Sequence, residues 1–192
     1  METLVSLFAD DTATWRRDGK IKGSDRVLMQ HEIDKVIQWA DKWKMRINVD
    51  KTRIMVTSSS AEDQKWNPQL EAMGKEIKPV QDYKFLGNNI DNDLRFRSHV
   101  DSIFEKGNNR NKILKCMSTK TWGNQLETQK GLYIQYCRST LEYASSSWAP
   151  WISDTNRKRI QRVQNTALRS VAGLSKTCPQ DFLQVWNRSK TD

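Results

Sequence analysis

Residues 3–15 read Thr-Leu-Val-Ser-Leu-Phe-Ala-Asp-Asp-Thr-Ala-Thr-Trp, and the fold turns on them. Positions 3–9 are β-prone, Asp10 and Asp11 interrupt them, and 12–15 resume the same character, which predicts a β-hairpin with two carboxylates at its tip. Adjacent acids repel. In a strand, neighbouring side chains point to opposite faces, whereas in a tight turn both carboxylates can converge on one cation, and their hard oxygens suit Mg²⁺. The other reading is an ordinary turn, because Asp makes its own local hydrogen bonds there. Spacing alone favours that one.

Outward from the hairpin, Gly19 and Gly23 punctuate a loop, and Ser24 or Asp25 can cap a helix with apolar residues Ile33, Val36, Ile37, Ala40 and Trp43 at three- and four-residue steps. A turn or extended piece over 45–50 leads to a strand over 52–57, with Ile54 and Val56 on one face. After a polar connector, two short strands flank Gly74. A further β segment, Tyr83-Lys84-Phe85-Leu86-Gly87, ends in a turn at Asn88 and Asn89. From residue 97 the pattern is helical. Val100, Ile103, Phe104 and Leu114 mark the first helix, which Gly107-Asn108-Asn109 weakens and could kink. A second helix runs over about 125–145 and a third over about 154–172, with Gly173 as its C-cap. The chain therefore reads as α+β, with an α+β part at 1–91 and an all-helical part at 92–192.

Charge changes at the same place. Residues 1–91 hold 15 Lys and Arg against 15 Asp and Glu, whereas 92–192 hold 17 against 8, so the whole net charge of +9 lies in the second half. A basic block on a folded domain attracts a polyanion, of which phosphate backbones are the commonest inside cells. Arg157, Lys158, Arg159, Arg162 and Arg169 lie on the polar side of the third helix. Leu, Ile, Val and Phe only just exceed the share usual in disordered chains, but eight Trp and four Tyr argue for a globular protein with a small core. No apolar run is long enough for a membrane span, and Glu2 with Asp10 spoils a secretory signal. Cys116, Cys137 and Cys178 have neither disulfide nor zinc-site spacing. The expectation is an intracellular chain with reduced thiols.

The ordered segments LFADDT at 7–12, Trp43, Asn48 with Lys51-Thr52, and KFLG at 84–87 resemble the C-terminal part of reverse transcriptases from non-LTR (LINE-type) retrotransposons. The stretches 132–148 and 159–169 are similar to the thumb and post-thumb region of insect, jockey-like elements. The resemblance implies a partial polymerase palm (hairpin, helix, short antiparallel strands) over 1–91 followed by a basic helical thumb over 92–192. It implies template-dependent nucleotidyl transfer by two metal ions about 3.5 to 4 Å apart, Mg²⁺ by family habit with Mn²⁺ as the alternative. Asp10 is then the metal ligand and Asp11 an auxiliary ligand. Lys51 corresponds to a lysine that steadies the departing pyrophosphate. Phe85, Leu86 and Gly87 belong to the primer grip, and Arg157, Lys158, Arg159 and Arg162 contact phosphates. The partners are an RNA template, a DNA primer and a dNTP, with no membrane. The family's work on chromosomal DNA points to the nucleus, although Arg157-Lys158-Arg159 is too short for a nuclear signal by itself.

The family also needs a second catalytic aspartate, from a strand upstream of the hairpin, and fingers that select the nucleotide. Neither precedes Asp10 in this sequence, so the expectation is a truncated fragment, inactive alone, with an uncovered palm edge prone to self-association. The alternative is a non-catalytic nucleic-acid-binding remnant that uses the basic helical half. A third reading is a helical interaction protein that meets acidic partners. Among the tryptophans, Trp15, Trp39, Trp43, Trp122, Trp148 and Trp151 could stack on bases. Most are expected in the core, Trp39 and Trp43 by their four-residue spacing on the first helix. His31 and His99 show no partner pattern.

Overall fold

The computed structural model describes residues 3–9, 11–16, 23–118, 125–175, 177–179, 181 and 183, so Asp10 and Trp122 lie outside the described residues. The chain divides into two compact units, residues 1–80 and 81–192.

In the first unit, β1 (Thr3–Phe8) pairs antiparallel with β2 (Asp11–Arg16), Leu4 opposite Trp15 and Phe8 opposite Asp11. After β1, Ala9 has φ +51, the positive region that tight hairpin turns demand. Helix α1 (Gly23–Lys42) lays Met29, Ile33 and Ile37 against a small core of Ile54, Leu70, Ala72 and Ile77. Trp39 and Trp43 are not part of it: they are 43% and 62% exposed. At 100° per residue Trp39 projects roughly a third of a turn away from the line through Ile33 and Ile37, and Trp43 lies beyond the helix end at Lys42.

The strand expected over 52–57 contracts to β3 (Arg53–Ile54). It is followed by the one-turn helix α2 (Ala61–Gln64), β4 (Glu71–Ala72), β5 (Lys75–Glu76) and β6 (Lys78–Pro79). The β4–β5 pair is antiparallel about Met73 and Gly74, whose φ values are +52 and +75. The β3–β6 pair is parallel, against the expectation of antiparallel strands throughout. The intervening segment carries the chain back past its start, so β6 runs in the same direction as β3.

In the second unit, β7 (Asp82–Phe85) pairs antiparallel with β8 (Asn88–Asp91). The turn lies at Leu86 and Gly87, with φ +46 and +85, and not at Asn88 and Asn89, which already belong to β8. Ile90 packs on the cluster of Phe96, Val100, Ile103, Leu141, Trp148, Ile152 and Val163. The hairpin therefore joins the helices, and the division falls after residue 80, ahead of the expected boundary at 91.

Helix α3 (Arg97–Met117) runs through Gly107-Asn108-Asn109 without a break. Next come α4 (Leu126–Leu132), a π-helical stretch (Tyr133–Arg138), α5 (Ser139–Glu142), α6 (Ser145–Trp148) and α7 (Asp154–Ala172). The single helix expected over 125–145 thus ends at Tyr143, and Ala144 takes φ +48. Helix α7 has the bounds its periodicity gives: the Ser153 hydroxyl accepts the Asn156 amide at 3.3 Å, and Gly173 closes the helix at φ +64. A second cluster unites Leu114, Tyr133, Cys137, Ala167, Leu168, Val171 and Leu183. The three cysteines are unpaired, and burial pushes the Cys137 thiol up, away from reactivity. The architecture is α+β. Among the described residues no helix is long and apolar enough to cross a membrane.

Candidate functional site

Of the two hairpin acids, Asp10 lies outside the described residues. Asp11 opens β2 with an exposed side chain, across the ladder from Phe8. An exposed carboxylate on a fixed strand end is a hard donor that suits Mg²⁺ or Mn²⁺. Among the described residues, however, no group of three or more His, Cys, Asp or Glu side chains comes together, so they do not by themselves complete a metal site. The hairpin around Asp11 is strongly apolar on its surface: Leu4, Val5, Leu7 and Phe8 are each more than half exposed.

Lys51 sits in a tight turn that Asn48 organises. The Asn48 carbonyl receives the amides of Lys51 and Thr52 and the Thr52 hydroxyl, all within 3.1 Å, while its side-chain oxygen also accepts the Lys51 amide at 3.2 Å. The backbone is thus bent by Asn48 and Thr52, leaving the Lys51 side chain exposed. This gives the Asn-x-x-Lys-Thr spacing a physical cause: the side-chain and backbone oxygens of Asn48 accept from the groups three and four residues on. No ion pair joins Asp11 to Lys51 among the described residues.

Phe85, Leu86 and Gly87 form the end of the β7–β8 hairpin, which is clasped at several points. The Tyr143 hydroxyl donates to the Leu86 carbonyl at 3.1 Å, and a Cβ on Gly87 would stand 3.0 Å from Tyr143 Cε1. Gly87 is therefore needed both for its positive φ and for the closeness of the ring. Asn88 Nδ2 donates to Ser147 Oγ at 3.3 Å, and the Asn89 amide donates to His99 Nδ1 at 3.2 Å. His99 is buried edge-on against Phe96 and Trp148, its Nε2 without a partner among the described residues. Burial, and then the charge of Lys106, holds its pKa below the usual histidine value, so it is a neutral acceptor.

The cations of α7 divide into two kinds. Lys158 and Arg162 are exposed, as is Arg157, whose guanidinium reaches back to the Ala149 carbonyl at 3.3 Å. Arg159 is committed inside the unit: it pairs with Asp101 at 2.8 Å and lies 4.8 Å over the Phe104 ring. Arg169 likewise turns inward to the Cys178 carbonyl at 3.0 Å. Asp11 and Lys51 belong to the first unit, and residues 85–87 with the α7 cations to the second.

Periodicity and motif spacing missed Tyr143, His99, Asp91 and Asn111. Asp91 accepts the amides of Phe96 and Arg97 at 2.8 and 2.9 Å, supplying the cap that Phe96 cannot. Asn111 donates to the Val163 carbonyl at 2.9 Å from a buried position. Each acts across 5 to 57 residues of sequence, beyond the reach of any local pattern.

Two curated relatives match the chain. Over 102 residues it is 29% identical to the RNA-directed DNA polymerase from mobile element jockey of Drosophila melanogaster, covering 53% of this chain and 11% of the relative. Over 174 residues it is 26% identical to the protein of the same description from Drosophila funebris, covering 90% of this chain and 18% of the relative. The chain thus spans less than a fifth of the length of the curated relatives it matches. No family model matches it, and no solved structure matches it significantly.

Proposed function

From a chain that is reverse-transcriptase-like, in the manner of non-LTR retrotransposons, we propose a segment of an RNA-directed DNA polymerase in which the first unit is part of the palm and the second a basic thumb. The observation that carries this is the 26% identity over 90% of the chain to a jockey polymerase. In this reading Asp10 and Asp11 hold divalent metal from one side, Mg²⁺ or Mn²⁺. Bound there, the metal supplies activation of a primer 3′ hydroxyl and charge stabilisation of leaving pyrophosphate. Lys51, presented by the Asn48 turn, is a cation for the pyrophosphate. The Leu86–Gly87 turn, clasped by Tyr143, meets the primer backbone, and Arg157, Lys158 and Arg162 hold phosphates of an RNA template paired with DNA. Arg159, tied to Asp101 and Phe104, contributes mainly by fixing α7 on α3.

These 192 residues are proposed to bind but not to polymerise alone, because two ions need fixed ligands from opposing sides and positions 10 and 11 supply only one. The purified chain should bind an RNA–DNA template-primer and give no template-dependent extension with Mg²⁺ or Mn²⁺. Extension that Asp10→Asn abolishes would show an active polymerase instead. The self-contained second unit favours a second reading, a binding module with no chemistry. In that case affinity falls only when Arg157, Lys158 and Arg162 are neutralised, and Asp10→Asn leaves it unchanged.

A further inference from the structure

Trp151 sits at the corner between α6 and α7, and its side chain is 63% exposed although the turn around it is firmly held. Its amide donates to the Trp148 carbonyl at 3.1 Å, and the Trp148 indole in turn donates to the Tyr143 carbonyl at 2.9 Å. Trp148 and Ile152, on either side, are buried in the first helical cluster, and the Ser153 cap fixes the start of α7. A large flat side chain is thus presented to solvent by a backbone with little freedom to withdraw it. The Arg157 guanidinium returns to this same corner through the Ala149 carbonyl, and Lys158 and Arg162 come within the next turn and a half of α7, whose only acid is Asp154.

We propose that Trp151 is a stacking platform for an unpaired base of RNA or DNA, with Arg157 and Lys158 holding the flanking phosphates. This rests on the nucleic-acid reading of the basic unit and adds to it a contact with an unpaired stretch beside the paired one. The chemistry argues for that occupant. Cations spaced along a helix complement phosphates, and an exposed indole face complements a base that has left its stack, whereas the bases of a duplex are covered by their neighbours.

The test is fluorescence anisotropy of the full chain with a labelled single-stranded oligonucleotide and with a duplex hairpin of the same composition, for wild type, Trp151→Ala and Trp151→Phe, each checked by thermal melting. Trp151→Ala should weaken single-strand binding by about 5- to 100-fold, leave the duplex nearly unaffected and keep the salt slope, and Trp151→Phe should retain most of the affinity. Unchanged single-strand affinity in Trp151→Ala, or an equal loss on both ligands, overturns the stacking role. Wild-type chain with no salt-dependent binding to either ligand overturns the underlying nucleic-acid reading, and the platform with it.

Discussion

Protonating His99 would put a positive charge between Phe96 and Trp148 and turn the acceptor of the Asn89 amide into a second donor facing it. Its folded-state pKa lies below the value of about 6.5 it regains on unfolding. The unfolded chain therefore binds more protons as pH falls, so the stabilisation is complete above that value and is lost as pH drops toward the folded pKa. Urea midpoints should accordingly fall between about pH 7.5 and 5.5, and less so in His99→Asn, whose amide oxygen keeps an acceptor but cannot titrate. Parallel falls in the two proteins would assign the effect elsewhere. Gly107 is the other position where one atom decides: a Cβ there would meet Val163 Cγ1 at 2.7 Å and Leu141 Cδ2 at 3.0 Å. Gly107→Ala gains helix propensity but overpacks this contact, and a net loss of about 1 to 3 kcal/mol is expected. Chemical denaturation of the Gly107→Ala, Val163→Ala double variant should show less than the sum of the single losses, since the colliding methyl is gone.

At the scale of elements, α3 begins at a residue that cannot cap it. Phe96 lies in the left-handed region at φ +52, and Asp91 reaches across from the end of β8 to take two of the open amides. Asp91→Ala should destabilise the second unit by about 0.5 to 2 kcal/mol, and Asp91→Asn by less, since its amide oxygen still accepts. The β7–β8 hairpin is held by the same logic of distant partners. Removing the hydroxyl in Tyr143→Phe leaves the ring beside Gly87 but frees the Leu86 carbonyl. Amide exchange in residues 83–90 should then quicken while global stability falls by only about 0.5 to 1.5 kcal/mol. Unaltered exchange there would mean that Asn88 and His99 suffice to hold the turn.

For the molecule as a whole, the apolar hairpin and the basic unit lead to separate outcomes. Leu4, Val5, Leu7 and Phe8 lie on both faces of a two-stranded ladder and remain exposed, which favours association between copies. Sedimentation should show concentration-dependent association of the wild-type chain that Leu7→Lys with Phe8→Lys reduces. Limited proteolysis should release a stable fragment starting near residue 81, because β7 and β8 pack with the helices. A fragment starting near 92 would mean that the hairpin is dispensable to that unit. Binding of the wild type to an RNA–DNA duplex should weaken steeply with salt, and each of Arg157→Gln, Lys158→Gln and Arg162→Gln should lower the logarithmic slope by about one.

The sequence by itself determined the features whose causes are local. The β1–β2 hairpin comes from β-prone runs on either side of two acids, and the bounds of α7 from its apolar period and Gly173. Periodicity also placed Ile33, Ile37 and Ala40 on one face of α1. It could not say how wide a strip the core would cover, so Trp39 and Trp43, expected inside by their spacing, stand exposed. Gly107-Asn108-Asn109 looks like a weak point for the same kind of reason: propensity registers the missing side chain, but only the arrival of Val163 from α7 makes that absence a fit. The clasp of Tyr143 on the Leu86–Gly87 turn, the Asp91 cap and the buried acceptor at His99 were decided by tertiary structure alone, because each joins groups that local backbone preferences never bring together and that only burial makes expensive to leave unpaired.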